Sequence, residues 1–355
     1  GEFTPDQLIE LLADYPASEN GRAYEYSTLP YTLLGLVLDA IDDDQLEPGG
    51  WKAVVKASVL EPLNMDEVTS LRSNIETNRI AMPHMLDGKG RFVRTRLAKT
   101  DANLHAAGGH FASARALARF VAMHLGGGTF SGHRIFDADV IASTHREQTL
   151  QQNTVLTYQR DGWGYGWDRA LWRDERILQR FGSFRSYFSH MSFLPEHNLG
   201  VVVLANGTTP TPAADLMARL IYDRLMERED LDTRFAEALT EAVAERDHHA
   251  GRIAADLDNR SSRLAPLPQP LEAYSGSFHN DAMGTMHWQA IAGGLEVSMG
   301  IAHARAEIFD ANKNLLRITL SGGGTVAGFE FNDAGNATRV RWNGFDFLPV
   351  AATSD

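Results

Sequence analysis

The fold assignment of this chain depends on the segment GRAYEYSTLPYTLLG, residues 21–35. Tyrosine, serine and threonine side chains stand there directly before a run of apolar residues. From Tyr31 to Ile41 the sequence predicts a helix. Because its leucines and valine occupy nearly all sides, we expect this helix to be buried. The segment therefore joins a polar stretch to a buried helix.

Composition excludes several classes of function. The 355-residue chain carries 33 basic and 46 acidic residues, a net charge of −13. Nucleic acids and anionic membranes both bind basic surfaces, so the charge argues against either partner. The sequence has no cysteine, which excludes disulfides and cysteine zinc sites. No run approaches the roughly 20 apolar residues of a membrane span. Asp247-His248-His249 is better explained by a solvated helix face than by a metal site, so we expect neither metal nor cofactor.

Periodicity divides the chain into parts. A helix capped by Ser113 ends at Gly126, and alternation from Gly162 to Asn206 predicts an antiparallel meander that includes Trp163 and Trp167. After a proline-rich stretch, about seven or eight short strands predict a small barrel or sandwich. We therefore expect an α+β fold, with a helical region and partial sheet in residues 1–228, a helical and proline-rich linker in residues 229–265, and an all-β barrel in residues 266–355.

A search for acyl-transfer chemistry finds candidate bases and donors but no convincing nucleophile. Such enzymes need a nucleophile, a base that takes its proton, and donors aimed at the developing oxyanion. No serine in the chain is followed three residues later by lysine, and no Gly-x-Ser-x-Gly segment occurs. If the protein is such an enzyme, the nucleophile must come from elsewhere.

Several short segments occur in a fixed order across residues 20–225. Together they resemble the serine β-lactamase and penicillin-binding-protein family, in particular class C β-lactamases and their esterase and D-aminopeptidase relatives. Residues 21–35 are similar to the Tyr-Ser-Asn segment of that family, and later segments are similar to its Pro-Leu-Gly-Met segment, its Gly-Gly turn and the strands around its third motif. These later segments are Glu61–Met65, Ala106–Gly109 with Ser113–Phe120, Gly164–Trp167, Arg180–Ser183 and Phe193–Asn206.

The resemblance implies two catalytic positions. Tyr26 matches the tyrosine that serves as base for the nucleophilic serine; it needs a nearby cation, because an ordinary tyrosine keeps its proton at neutral pH. The family lysine that supplies this cation lies one turn after the serine, and this sequence contains neither. Ser183 would offer its backbone N–H to the oxyanion. Without the resemblance, Tyr26 would be interpreted as a half-buried aromatic residue.

The resemblance also implies four substrate-binding positions. Thr28 stands where the family usually has asparagine, and its hydroxyl cannot replace both amide groups. Arg180 occupies the histidine or lysine position; it keeps a cation for a substrate carboxylate, although it cannot shuttle protons and could instead pair with an acidic neighbour. Gly182 lets substrate approach the strand. Gly108 belongs to the Gly-Gly turn. The glycines could equally be present there because a tight turn needs a positive φ.

These departures leave two functions open. In the family, N-terminal strands and the serine helix precede the region matched here, so we expect a truncated or processed chain with an unpaired sheet edge. The favoured function is a hydrolase of amide, peptide or ester bonds in carboxylate-bearing small molecules or peptides. Its nucleophile would lie upstream or on a separate chain, and an N-terminal fragment or a second copy would complete the sheet. The alternative is a catalytically inactive binding module. Residues 266–355 resemble the lipocalin-like domain of some peptidase relatives.

Overall fold

The chain divides into two compact units, one formed by Arg22–Ile253 and the other by Gly1–Gly21 together with Ala254–Asp355. The computed structural model describes residues 3–13, 26–41, 50–95, 97, 99–184, 186–207, 209–263, 266–320 and 323–350. Both units are described separately below.

The helix predicted over Tyr31–Ile41 and the helix predicted between Ser113 and Gly126 are found close to those positions, as α2 and α4. Ser113 caps one of them, since its hydroxyl accepts a hydrogen bond from the N–H of Ala116 at 3.1 Å. A π-helical turn, Lys56–Leu60, continues another. The helices are α1 (Pro5–Ala13), α2 (Leu29–Ala40), α3 (Gly50–Val55), α4 (Ala114–Leu125), α5 (Ala138–His145), α6 (Ala213–Leu225) and α7 (Leu231–Ser261).

Helix α2 is largely exposed, although the sequence predicts a buried helix. Leu34 and Val37 expose 59% and 53% of their surface, and Thr32 and Gly35 are its buried residues. A β-carbon at Gly35 would lie 2.6 Å from Ala106, so that face packs closely. The prediction was wrong because apolar residues around a helix permit burial, whereas burial itself requires neighbours on every side.

The unit Arg22–Ile253 is built on a six-stranded antiparallel sheet with the order β12-β11-β10-β9-β8-β7. Each strand pairs with the next one along the chain, as a meander requires. Its strands are β7 (Thr149–Val155), β8 (Tyr158–Trp163), β9 (Asp168–Trp172), β10 (Glu175–Phe184), β11 (Tyr187–Leu194) and β12 (Leu199–Ala205). Shorter pairs precede it, formed by β1 (Val68–Thr69), β2 (His84–Leu86), β3 (Phe92–Arg94), β4 (Phe111–Ala112), β5 (Thr129–Phe130) and β6 (His133–Arg134).

The alternating residues Gly162 to Trp167 belong to the segment predicted as strands. In the structure they do not form one continuous strand. Strand β8 ends at Trp163 and β9 begins at Asp168, with a turn between them. Gly166 has φ 78°, a conformation that favours glycine. Alternating aromatic residues and glycines are compatible with a strand and also with a tight hairpin turn. The positive φ of Gly166 shows that a turn forms here.

Helices cover both faces of the sheet. Neighbouring residues of a strand point to opposite faces. Accordingly Ile177 packs in a core cluster with Tyr222 of α6, whereas Leu178 packs in another with Val121 of α4. Strand β12 has one pairing partner strand among the described residues, and just beyond its end His84 bridges to Gly207.

Buried polar side chains connect α6 to the sheet. Asp215 accepts hydrogen bonds from the Tyr158 hydroxyl at 2.7 Å and from Arg219 Nε at 3.0 Å. Ser192 Oγ lies 2.9 Å from the Tyr222 hydroxyl. Burial, reinforced by the Asp215 carboxylate, raises the pKa of Tyr158 above its usual value, so that tyrosine stays protonated and donates.

The second unit contains a nine-stranded antiparallel sheet with the order β16-β15-β14-β13-β21-β20-β19-β18-β17. The two end strands are consecutive in the chain, with Ala306 between them, so the sheet curls into a nearly closed barrel. Its core includes Tyr274, Trp288 and Phe329, and Phe3 packs against it. The strands are β13 (Gly276–Asn280), β14 (Gly284–Ile291), β15 (Gly294–Met299), β16 (Ala302–Arg305), β17 (Glu307–Asp310), β18 (Leu315–Ile318), β19 (Thr325–Phe331), β20 (Ala337–Trp342) and β21 (Phe345–Pro349).

The predicted α+β class is therefore confirmed, with helices and an antiparallel sheet in one unit and a barrel in the other. In the part of the chain that the structure describes, no helix has the length and apolar character needed to cross a bilayer.

Candidate active site

Strand β10 has an open edge over its last residues. Its pairing with β9 ends at Gln179, whereas its pairing with β11 continues to Phe184 opposite Tyr187. That last pair closes a two-residue hairpin and is a hydrogen-bonded pair, after which bonded and non-bonded pairs alternate. Ser183 is then in a non-bonded pair, so its backbone N–H points away from β11. This is the position at which the sequence predicts a donor for an oxyanion.

Tyr26 and Arg180 meet at this strand. Arg180 Nη2 lies 2.5 Å from the Tyr26 hydroxyl, and the guanidinium carbon lies 5.1 Å from the centre of the Tyr26 ring. The same guanidinium lies 5.3 Å from the Trp163 ring, whose centre is 6.1 Å from that of Tyr26 in a stacked arrangement. The family resemblance assigns both residues to one site, and the structure brings them into direct contact.

Trp163 also packs against a buried ion pair, formed by Arg160 and Asp168. Arg160 Nη2 lies 2.5 Å from Asp168 Oδ2, with the two side chains 10% and 2% exposed. The Arg160 guanidinium also lies 4.5 Å from the Trp163 ring, and the indole N–H donates to Gln151 at 2.7 Å. Burial raises the pKa of Asp168, although hydrogen bonds from Arg160 oppose that shift. The ring that contacts Tyr26 and Arg180 is therefore held in one position.

Thr28 lies two residues after Tyr26, immediately before α2. Its side chain makes no cap hydrogen bond, whereas its carbonyl accepts from the N–H of Thr32 at 3.2 Å. The residue is exposed. Its hydroxyl is thus available to solvent beside the predicted base.

The two predicted glycine positions differ in their packing. A β-carbon at Gly182 would lie 2.4 Å from Ser189 Oγ on β11, so the strand is flat there because glycine occupies the position. At Gly108 a β-carbon would contact nothing within 4 Å, but at Gly109 it would lie 2.3 Å from the His105 carbonyl oxygen. Neither Gly108 nor Gly109 has a positive φ, so the turn alternative is wrong in that respect. The close approach of the His105 carbonyl group explains the glycine at position 109.

Lys99 is a site residue that sequence reasoning missed. Its ammonium lies 4.1 Å from the centre of the Phe184 ring and 3.4 Å from the Gly108 carbonyl oxygen. Burial lowers its pKa below the usual lysine value. No motif or periodicity in the sequence indicates this lysine, because its neighbours come from distant segments.

The structure thus gathers the predicted residues along one strand. Tyr26, Arg180, Gly182 and Ser183 lie at β10, and Thr28 follows Tyr26 closely. Gly108 is connected to the far end of the strand through Lys99. The arrangement provides a cation for a carboxylate, a phenol, and backbone donors on an open edge.

Comparison with known proteins shows the family of this chain. The family model described as Beta-lactamase matches residues 2–226. A human protein, "Putative beta-lactamase-like 1", is 29% identical over 239 residues, which are 66% of this chain and 43% of that protein. The chain therefore spans less than half the length of this curated relative.

A solved structure shows a similar fold. The octameric penicillin-binding protein homologue from Pyrococcus abyssi superimposes with a TM-score of 0.54 and 18% identity, over 97% of this chain and 70% of that chain. D-amino acid amidase from Ochrobactrum anthropi gives a TM-score of 0.49 and 14% identity, over 72% of this chain and 65% of that chain.

Proposed function

The chain belongs to the β-lactamase family, and from that premise we propose that it forms the larger part of a serine hydrolase. The hydrolase cleaves amide, peptide or ester bonds through an acyl-enzyme. Its nucleophilic serine and the lysine one turn later belong to a segment upstream of this sequence or to a separate chain. Tyr26 is the base, and Ser183 contributes a backbone donor to the oxyanion.

One observation carries this proposal: the open edge of β10 has Arg180 and Tyr26 in contact beside it. An edge with free backbone N–H and C=O groups can align an extended substrate, while a guanidinium fixes a carboxylate by charge-assisted hydrogen bonds. Within the described ranges Arg180 makes no ion pair with a carboxylate, although its charge also favours the ionised form of the buried Asp168. Its guanidinium can therefore still take a ligand carboxylate as a direct partner.

The remaining parts of the chain have proposed roles as well. The outer edge of β12 would pair with a strand from an N-terminal segment of the same protein or from a second copy. The nine-stranded barrel would be a lipocalin-like domain appended to the hydrolase. Neither a metal nor a cofactor enters the proposed chemistry.

The second candidate is a binding module without catalytic activity. Two departures from the family pattern favour it: threonine at position 28 in place of asparagine, and arginine at position 180 in place of histidine or lysine. In that case the site keeps its affinity for carboxylates and has lost acyl transfer.

Labelling with a fluorophosphonate and with a fluorescent penicillin tests the proposal. In the natural protein, peptide mass spectrometry should locate one labelled serine outside these 355 residues, followed three positions later by lysine. The 355-residue polypeptide alone should give no stoichiometric adduct. Tyr26→Phe should slow labelling of the natural protein, whereas Tyr165→Phe, at an exposed tyrosine of the β8–β9 turn, should leave it unchanged.

Two outcomes would contradict the hydrolase proposal. A labelled serine within the 355-residue sequence, lost on one Ser→Ala substitution, would place the nucleophile in this chain. Natural protein that binds carboxylates but is never labelled would support the binding module instead.

A further inference from the structure

Two cationic side chains lie on the same face of β10. Strand residues two apart share a face, so Arg180, Gly182 and Phe184 belong to one side of the sheet. Arg180 is at one end of this row with the Tyr26 ring beside it. At the other end the Lys99 ammonium lies 4.1 Å from the centre of the Phe184 ring.

No large side chain of β10 stands on this face between the two cations, and the neighbouring side chain is polar. Gly182 has no side chain, and its neighbour across the β10–β11 pair is Ser189, whose hydroxyl occupies the space above it. Phe184 follows Arg180 by four positions along the strand, a distance of about 13 Å along the backbone. The Arg180 guanidinium and the Lys99 ammonium therefore lie near the two ends of this row of residues, which we call the trough.

Neither cation makes a direct ion pair with a described residue, although the Arg180 charge also acts on the buried Asp168 carboxylate. Among the described residues, no ion pair joins Arg180 or Lys99 to a carboxylate, although the chain carries 46 acidic residues. Lys99 has one carbonyl oxygen and one aromatic face as partners. Burial without a counter-charge disfavours its ammonium form, and a bound anion would relieve that cost.

From this arrangement we infer that the trough binds an extended acidic peptide with two carboxylates about four residues apart. Its C-terminal carboxylate contacts Arg180, and an acidic side chain near its N-terminal end contacts Lys99. The peptide then runs antiparallel to β10 along the open edge, where Phe181 and Ser183 offer backbone groups. This inference rests on the proposed function and adds the substrate class of the same site.

Four alanine-based pentapeptides test the inference by calorimetry. All are N-acetylated; they carry glutamate or glutamine at the first position and a free or amidated C-terminus. In an extended peptide the two carboxylates of the diacid are about 13 Å apart. Binding is measured without turnover, so the result does not depend on the nucleophile.

The diacid should bind most tightly, and the diamide least. Lys99→Met should weaken the diacid about tenfold and leave the glutamine peptide with a free C-terminus unchanged. Lys99→Arg should retain most of the affinity. Lys89→Met, at an exposed lysine in the β2–β3 turn, is the matched control and should change nothing. Circular dichroism of each variant checks that it remains folded.

The outcomes separate the two proposals. If Lys99→Met weakens the diacid and both monoacids equally, or none of them, the second carboxylate site is refuted while a site at Arg180 stands. If all four peptides bind equally, the carboxylate site of the proposed function fails together with the trough.

Discussion

Arg180 donates a hydrogen bond to the Tyr26 hydroxyl over 2.5 Å, although 154 positions separate the two residues in the sequence. The contact joins the strand with the open edge to the segment that precedes α2. It also places a permanent positive charge beside the tyrosine that the family resemblance assigns as base. Ligand charge and tyrosine chemistry are therefore expected to depend on the same guanidinium.

The first prediction concerns this guanidinium. Arg180→Ala should weaken a carboxylic-acid ligand about ten- to a hundredfold, because a charge-assisted hydrogen bond is lost. Arg180→Lys should recover part of the affinity, since it keeps the charge and loses the bidentate fork. Calorimetry with an acid and its amide checks this. Arg252→Ala, on the exposed side of α7, is the control; an amide that binds as tightly as the acid would show that no carboxylate site exists.

The second prediction concerns a pair of buried histidines. His124 Nδ1 lies 2.9 Å from His145 Nε2. Burial lowers the pKa of His124 to about 3, with help from His145, and burial also lowers the pKa of His145. In the unfolded chain both have pKa values near 6.5. The native pair therefore stays neutral at pH values where the unfolded chain takes up protons.

The sign of the pH dependence follows from this difference. The contribution to stability is fully present above about pH 6.5 and is lost as the pH falls toward the lowered native values. Between these values the His124 proton is bound in the unfolded state alone, which gives a slope of roughly 1.4 kcal/mol per pH unit, and His145 adds to it in the same direction. Urea unfolding at pH 7.5, 6 and 5 measures the slope, and His124→Asn should reduce it. An unchanged slope in this variant would refute the assignment.

The third prediction concerns the ion pair behind Trp163. Asp168→Ala should lower the free energy of unfolding by about 3–5 kcal/mol, because it leaves the buried Arg160 guanidinium without a counter-charge. Replacing both residues, as in Arg160→Met with Asp168→Leu, should recover much of the loss. Asp247→Ala, at an exposed ion pair on α7, should change stability by less than about 0.5 kcal/mol. Equal effects of Asp168→Ala and Asp247→Ala would contradict this account.

The fourth prediction concerns the barrel. Limited proteolysis should cut most readily between Ser262 and Pro270, after α7 ends, and should release a protected C-terminal fragment. Because Phe3 packs against the barrel core, removal of residues 1–21 should make this fragment less resistant. Mass spectrometry of the digest identifies the fragments. Simultaneous loss of both units without a stable intermediate would show that the barrel does not fold separately.

Local patterns in the sequence were sufficient to predict much of the architecture. The meander, the helix capped by Ser113 and the barrel strands follow from residue periodicity and turn residues, which depend on near neighbours. The order of short motifs from Gly21 to Asn206 indicated the family before any contact was known. The net charge of −13 argued against nucleic acids as ligands.

Other features depend on contacts between distant segments, and only the tertiary structure decided them. The exposure of Leu34 on α2 depends on which segments pack against that helix. The chain turns between Trp163 and Asp168, where Gly166 has a positive φ. Lys99 lies over Phe184 because two segments 85 positions apart meet at one strand end. The direct bond between Tyr26 and Arg180 has the same origin. Hydrophobic patterning specifies which face of an element can be buried, whereas side-chain contacts across the fold depend on strand register and on packing between distant elements.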